Sequence, residues 1–91
     1  MLIFIDQYFK ITNSRRMGPL RKEWQSDIVP TIGAKIESSV WKNHQKEISN
    51  VIINFDEGYY NVVVADEMIK DEEEFKELEK IYLLQKWKRL L

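Results

Sequence analysis

The chain has 91 residues, 44% apolar and 32% charged, with no Cys and a net charge of −1. This composition suits one hydrophobic core in a single globular domain spanning 1–91; it argues against disorder and excludes disulfides and thiolate chemistry. The charge is uneven: residues 1–50 carry eight Lys or Arg against five Asp or Glu, and residues 51–91 carry six against ten.

The start, MLIFIDQYF, is apolar but lacks a basic n-region and is interrupted by Asp6, so it reads as a strand and not as a signal peptide. Ile3, Ile5, Phe9 and Ile11 share one face with Gln7. Leu2, Phe4, Tyr8 and Lys10 share the other with Asp6. Period-two spacing of β-branched and aromatic residues predicts a strand over Leu2–Thr12. Asn13–Asp27 is harder to read. Asn13 to Pro19 has loop chemistry, because Gly18 and Pro19 both interrupt regular structure, and Leu20–Trp24 fits either a helical turn or an irregular strand. Arg15, Arg16, Arg21 and Lys22 concentrate basic charge there.

Pro30, Gly33 and Ile36 form a Pro-x-x-Gly-x-x-hydrophobic turn that leads into a short strand at Lys35-Ile36-Glu37, as in SH3-like barrels; this is an analogy of fold alone. Residues 48–65 predict a hairpin. Its turn is Asp56-Glu57-Gly58, a three-residue loop closed by Gly. Val51, Ile53 and Phe55 face inward with Tyr60, Val62 and Val64, leaving Ile48, Ile52, Tyr59 and Val63 on an opposite face that is also apolar. A helix follows over about 71–85. Asp71 is its N-cap, Glu74 completes a capping box, and Phe75, Leu78, Ile81 and Tyr82 form its buried stripe. The tail 86–91, with Trp87, is helix or strand.

The predicted fold is α+β: a small antiparallel sheet of four or five strands, curled into a partly closed SH3-like barrel, with one C-terminal helix. Its expected core is Ile5, Phe9, Ile36, Val51, Ile53, Phe55, Val62, Val64, Leu78 and Ile81. The order of elements resembles small bacterial or phage-encoded proteins with an SH3-like barrel and a trailing helix, although no specific residue carries a family assignment.

Chemistry-bearing motifs are scarce. His44 is the single imidazole, set in the polar stretch Trp41-Lys42-Asn43-His44-Gln45-Lys46, and the three glycines are isolated. No cofactor, metal site or catalytic residue is expected. The leading expectation is therefore a cytoplasmic, non-enzymatic protein-interaction or small regulatory protein, of the kind phages and mobile elements encode as inhibitors. The eight acids between Asp66 and Glu79 would steer it towards a basic partner. A homodimer is expected through Ile48, Ile52, Tyr59, Val63 and Trp87. The alternative is a nucleic-acid-binding barrel that uses Arg15, Arg16, Arg21, Lys22, Trp24 and Trp41, against which the pI near 5.8 weighs. No membrane association is expected, since there is no apolar run of about 18 residues.

Overall fold

The computed structural model of the protein describes residues 1–90. Strand β1 (Leu2–Ile11) lies at the centre of a sheet that also contains β2 (Arg16–Gln25), β3 (Lys35–Glu37), β4 (Gln45–Asn54), β5 (Tyr59–Val64), β6 (Glu67–Ile69) and a short β7 (Lys88–Arg89); one helix, α1 (Glu72–Leu84), precedes β7. The sheet order is β3-β4-β5-β1-β2-β7, with β6 also paired to β1. The molecule is thus a small α+β domain. Among the described residues no helix is long and apolar enough to cross a membrane.

Three expectations about the sheet are corrected. It has seven strands and not four or five, because Arg16–Gln25 is a full strand and the short β6 and β7 add to the sheet. It is mixed, because β1 runs parallel to both β5 and β6. It is also open, ending at β3 on one side and β7 on the other. Its apolar face packs against Phe75, Leu78 and Tyr82 of α1 and against Val40 and Trp41, so the sheet does not need to close on itself to bury that face.

The first hairpin shows how the alternation in β1 is used. Ile3, Ile5, Gln7 and Phe9 all point to the covered front face and are buried. Strand β2 pairs antiparallel along β1, and its register slips by one residue between the Gln7–Leu20 and Phe9–Met17 pairs. The additional residue falls at Gly18-Pro19. Gly18 takes φ +101° there, with the space for a Cβ closed by the Gln7 carbonyl at 3.2 Å. A bulge thus absorbs the two residues that looked like strand breakers, and a ten-residue strand stands where a loop was expected.

A second bulge decides the register of the other hairpin. Ile48 pairs with Val64 and Asn50 with Val63, so Ser49 is the extra residue. One inserted residue reverses the parity of all that precede it. Ile48 therefore joins Val51 on the front face, buried among Val62 and Val64. The expected inward face of β4 is correct, but it runs beyond the core: Ile53 is 51% exposed and Phe55 is 88% exposed. The turn is one residue longer than expected, with Asn54 facing Tyr59 across Phe55–Gly58 and Gly58 at φ +74°.

The helix begins as expected. The Asp71 side chain accepts from the Glu74 N–H at 2.9 Å, while Glu74 Oε1 accepts from the Lys70 N–H and not from the cap residue itself. Phe75, Leu78 and Tyr82 face the sheet, and Ile81, roughly 120° around the helix from Phe75, is half exposed. At the other end Lys86 takes φ +68°, its N–H bonds to the Leu83 carbonyl, and the Trp87 N–H bonds to the Tyr82 carbonyl. This pair of bonds is a Schellman ending, and it turns Trp87 back onto Tyr82 with ring centroids 5.1 Å apart. Trp87 is 3% exposed and belongs to the core, as does Ile48, so neither lies on a free surface. Lys88–Arg89 of the predicted tail form β7; Leu91 lies outside the described residues.

An aromatic row ties the layers together. Phe9 meets Phe75 and Tyr82 edge to face, Tyr82 meets Trp87, and Trp87 meets Trp41. Ile5, Phe9, Val62 and Val64 occupy the core as expected; Ile36, Val51 and Leu78 pack at its edge. Ile3, Leu20, Trp41, Ile48, Ile69, Tyr82 and Trp87 complete it.

Candidate interaction site

The back face of the sheet carries Phe4, Asp6 and Tyr8 of β1 beside Tyr59, Asn61 and Val63 of β5. Its centre is polar. Asp6, 3% exposed, accepts two hydrogen bonds from Arg21 at 2.6 and 2.9 Å and a third from Asn61 Nδ2 at 3.0 Å. Arg21 also lies over the Phe4 ring at 4.7 Å. Its bond to Asp6 raises the guanidinium pKa against the opposing effect of burial. A carboxylate with three donors is well compensated despite its burial.

The basic stretch is thus largely spoken for. Arg21 holds Asp6, Arg16 forks onto Asp66 at 2.8 and 3.1 Å while lying over Tyr8, and Arg15 pairs with Glu72. The hydrogen bond to Asp66 raises the Arg16 pKa. The three arginines face three carboxylates, two of them from the acidic half of the chain. Lys22 and Trp24 lie on the front face instead, and Trp41 is 2% exposed. The six residues considered for nucleic-acid contact therefore do not share one surface. His44 is exposed in the turn that bonds Trp41 to Ser38. Among the described residues no three His, Cys, Asp or Glu side chains gather to share a metal ion.

Of the residues expected at an interface, Ile52, Tyr59 and Val63 share the back face. Ile52 is 53% exposed, and Tyr59 and Val63 are partly covered. Ile52 sits on an edge. Strand β3 covers β4 only along Gln45–Glu47, and the Gly33 and Ala34 backbone extends that cover to Ile48. From Asn50 to Asn54, β4 is paired with β5 alone. Ile52 and Ile53, on opposite faces, and Phe55 beyond them give this edge apolar side chains in both directions. The stretch Ser49–Phe55 contains no charged residue and no proline, the two residue types that most often guard strand edges.

The front face carries a second feature. Between the sheet and the 26–41 segment lies a cleft of about 460 Å³ lined by Ile3, Ile5, Val62, Trp24, Trp41 and Trp87 among others. All three tryptophans of the chain contribute to its wall. Hydrogen bonding is incomplete in the core behind it. Among the described residues the buried indole N–H groups of Trp41 and Trp87 have no acceptor, and neither the Tyr82 hydroxyl nor Gln7 Oε1 has a partner. Burial pushes the Tyr82 pKa well above the ordinary tyrosine range, with Glu67 adding to the rise and the nearby Trp41 indole opposing it.

Comparisons with protein-family models, curated proteins and solved structures returned no match to this chain.

Proposed function

We propose that this protein is a non-enzymatic, cytoplasmic interaction domain that works as a dimer, two copies meeting edge to edge along β4. The observation that supports this reading is the uncovered, uncharged edge at Asn50–Asn54 with Ile52 and Ile53 half exposed. An unpaired edge presents main-chain N–H and C=O groups to a further strand, and side chains on both faces then set specificity.

A second copy satisfies the geometry of a two-fold axis at Ile52. Antiparallel pairing about that residue sets Ile52 against its counterpart, Val51 against Ile53 and Asn50 against Asn54. No like charges meet, and the asparagines can hydrogen-bond across the seam. The interface is small, so the association is expected in the micromolar range. In this reading the basic and acidic halves of the chain stabilise each other within one molecule, through Arg15–Glu72 and Arg16–Asp66.

Sedimentation equilibrium across about 5–200 μM, bracketing that range, tests the proposal. The expected result is a monomer–dimer equilibrium that Ile52→Lys abolishes by setting two ammonium groups opposite each other, with the far-UV spectrum unchanged. A parent that stays monomeric throughout, or a dimer that survives Ile52→Lys, would overturn it.

A further inference from the structure

We propose that the front cleft binds a small, uncharged, largely apolar molecule, held between the sheet at Trp24 and a strap formed by Ile28–Thr31. The inference rests on the front face alone and is independent of the β4 edge.

The first argument is why the cleft is open. The strand register sets Ile53, Tyr60, Ile3 and Trp24 side by side as one row across the front face. Helix α1 packs instead on Phe9, towards the far end of β1, and supplies no residue to the cleft lining. At the Trp24 end of the row the sheet therefore faces Ile28, Val29, Pro30 and Thr31 in place of a helix.

The second argument is accessible apolar surface. Trp24 is 43% exposed, Ile28 65% and Val29 63%, although all three line a concave site of about 460 Å³. Pro30, Ala34 and Ile36 line it too and are at least partly exposed. These side chains, and not the buried floor, are what an occupant touches. They gain burial when an apolar body enters, and the volume lies in the range of small-molecule sites.

The third argument is how the strap is hung. The Ser26 backbone exchanges hydrogen bonds with Met1 at 3.0 and 3.1 Å, and Gly33 and Ala34 bond to Ile48 at 2.9 and 2.8 Å. Between these anchors, among the described residues, every hydrogen bond of Ile28–Ile32 stays within residues 26–34. The strap can therefore settle onto an occupant without breaking a hydrogen bond to the sheet.

The fourth argument is charge, and it sets the ligand class. Lys22, Glu23, Lys35 and Glu37 line the cleft and sum to zero, and Glu23 is already held by Lys88 at 2.7 Å. The remaining polar lining, Thr31 and Ser38, is uncharged. An ionic head would lose hydration on entering an apolar site that offers no net counter-charge. An uncharged molecule escapes that cost.

Trp24 is the exposed tryptophan of the cleft, Trp41 and Trp87 being buried, so intrinsic fluorescence reports occupancy. The purified protein is titrated near neutral pH with decanol, decanoate and decyltrimethylammonium, each below its solubility limit or micellar concentration. Decanol is expected to give a saturable change and to bind about tenfold more tightly than either ion, or better. Trp24→Phe is expected to remove the fluorescence change. Val29→Asp, which puts a charge on the strap at an exposed position, is expected to weaken decanol by about tenfold or more, while its far-UV spectrum and melting temperature match the parent. Ile52→Lys is expected to bind decanol as the parent does, which separates the cleft from the β4 edge. Equal or tighter binding of either ion, no saturable signal, a change that persists in Trp24→Phe, or decanol binding unaffected by Val29→Asp or lost with Ile52→Lys would each overturn the proposal.

Discussion

Replacing Ile48 and Phe55 by alanine, one at a time, tests the register of the second hairpin. Ile48 is 4% exposed and Phe55 is 88% exposed, although simple alternation assigns them the opposite fates. Truncating a buried isoleucine costs about 2–5 kcal/mol, and more when the space it leaves cannot collapse. Ile48 also lines the cleft, so the vacated volume merges with an existing opening instead of forming a sealed void. The lower half of that range, about 2–3 kcal/mol, is therefore expected. With a urea slope of about 1.5 kcal/mol per M, the midpoint should fall by roughly 1.5–2 M. Phe55→Ala removes a ring already in water and should change stability by less than about 0.5 kcal/mol. Both measurements are made at submicromolar concentration, so that any dimer linkage to Phe55 does not enter. Comparable losses for the two variants, or a larger loss for Phe55→Ala, would refute the bulge at Ser49 and the exposure of the turn.

Lys86→Gly should stabilise the domain by about 0.5–1 kcal/mol, because the left-handed conformation at φ +68° that is strained for lysine is free for glycine; a melting temperature that fails to rise would count against the Schellman ending. Asp6→Asn should cost about 2–3 kcal/mol, below the range for a fully buried pair because Arg21 keeps 24% of its side chain exposed, and a denaturation midpoint like the parent's would show that the network is dispensable. Tyr82 holds its proton more tightly folded than unfolded, so its contribution is complete below the ordinary tyrosine pKa of 10.0 and is lost as pH rises past that value. Tyr82→Phe should remove that part of the alkaline decline, and identical alkaline limbs for parent and variant would contradict it.

The stripe of β1 and the start of α1 were legible because each follows from a local rule, alternation in one case and an acidic cap in the other. What defeated local reading was the insertion of single residues. Gly18-Pro19 looks like a strand end but sits inside a paired strand, and Ser49 silently reverses the side-chain parity that had placed Ile48 outside. Trp87 was unreadable for a related reason: the helix ends on Lys86 in a conformation usually marked by glycine, so nothing in Gln85-Lys86-Trp87 announces the turn that buries the indole. The parallel contact of β1 with β5 joins residues more than fifty positions apart and leaves no trace in either segment. Trp24 and Trp41 stood out as contact candidates by residue type, but that they and Trp87 wall one cleft depends on pairings that only the folded chain supplies.

The parallel seam between Leu2–Asp6 and Tyr59–Val63 also has a consequence for the order in which the chain can assemble. The β1–β2 and β4–β5 hairpins each close over short sequence separations, so each has a local route to formation. The seam must close a far longer loop before it gains any contact. During synthesis β1 leaves the ribosome before β5, and one of its two edges has no partner until β5 has emerged. Until then β1, with seven apolar residues of ten, is a half-paired ribbon. Completion of its sheet, and with it burial of Ile3 and Ile5 against Val62, waits for a strand more than fifty residues further along.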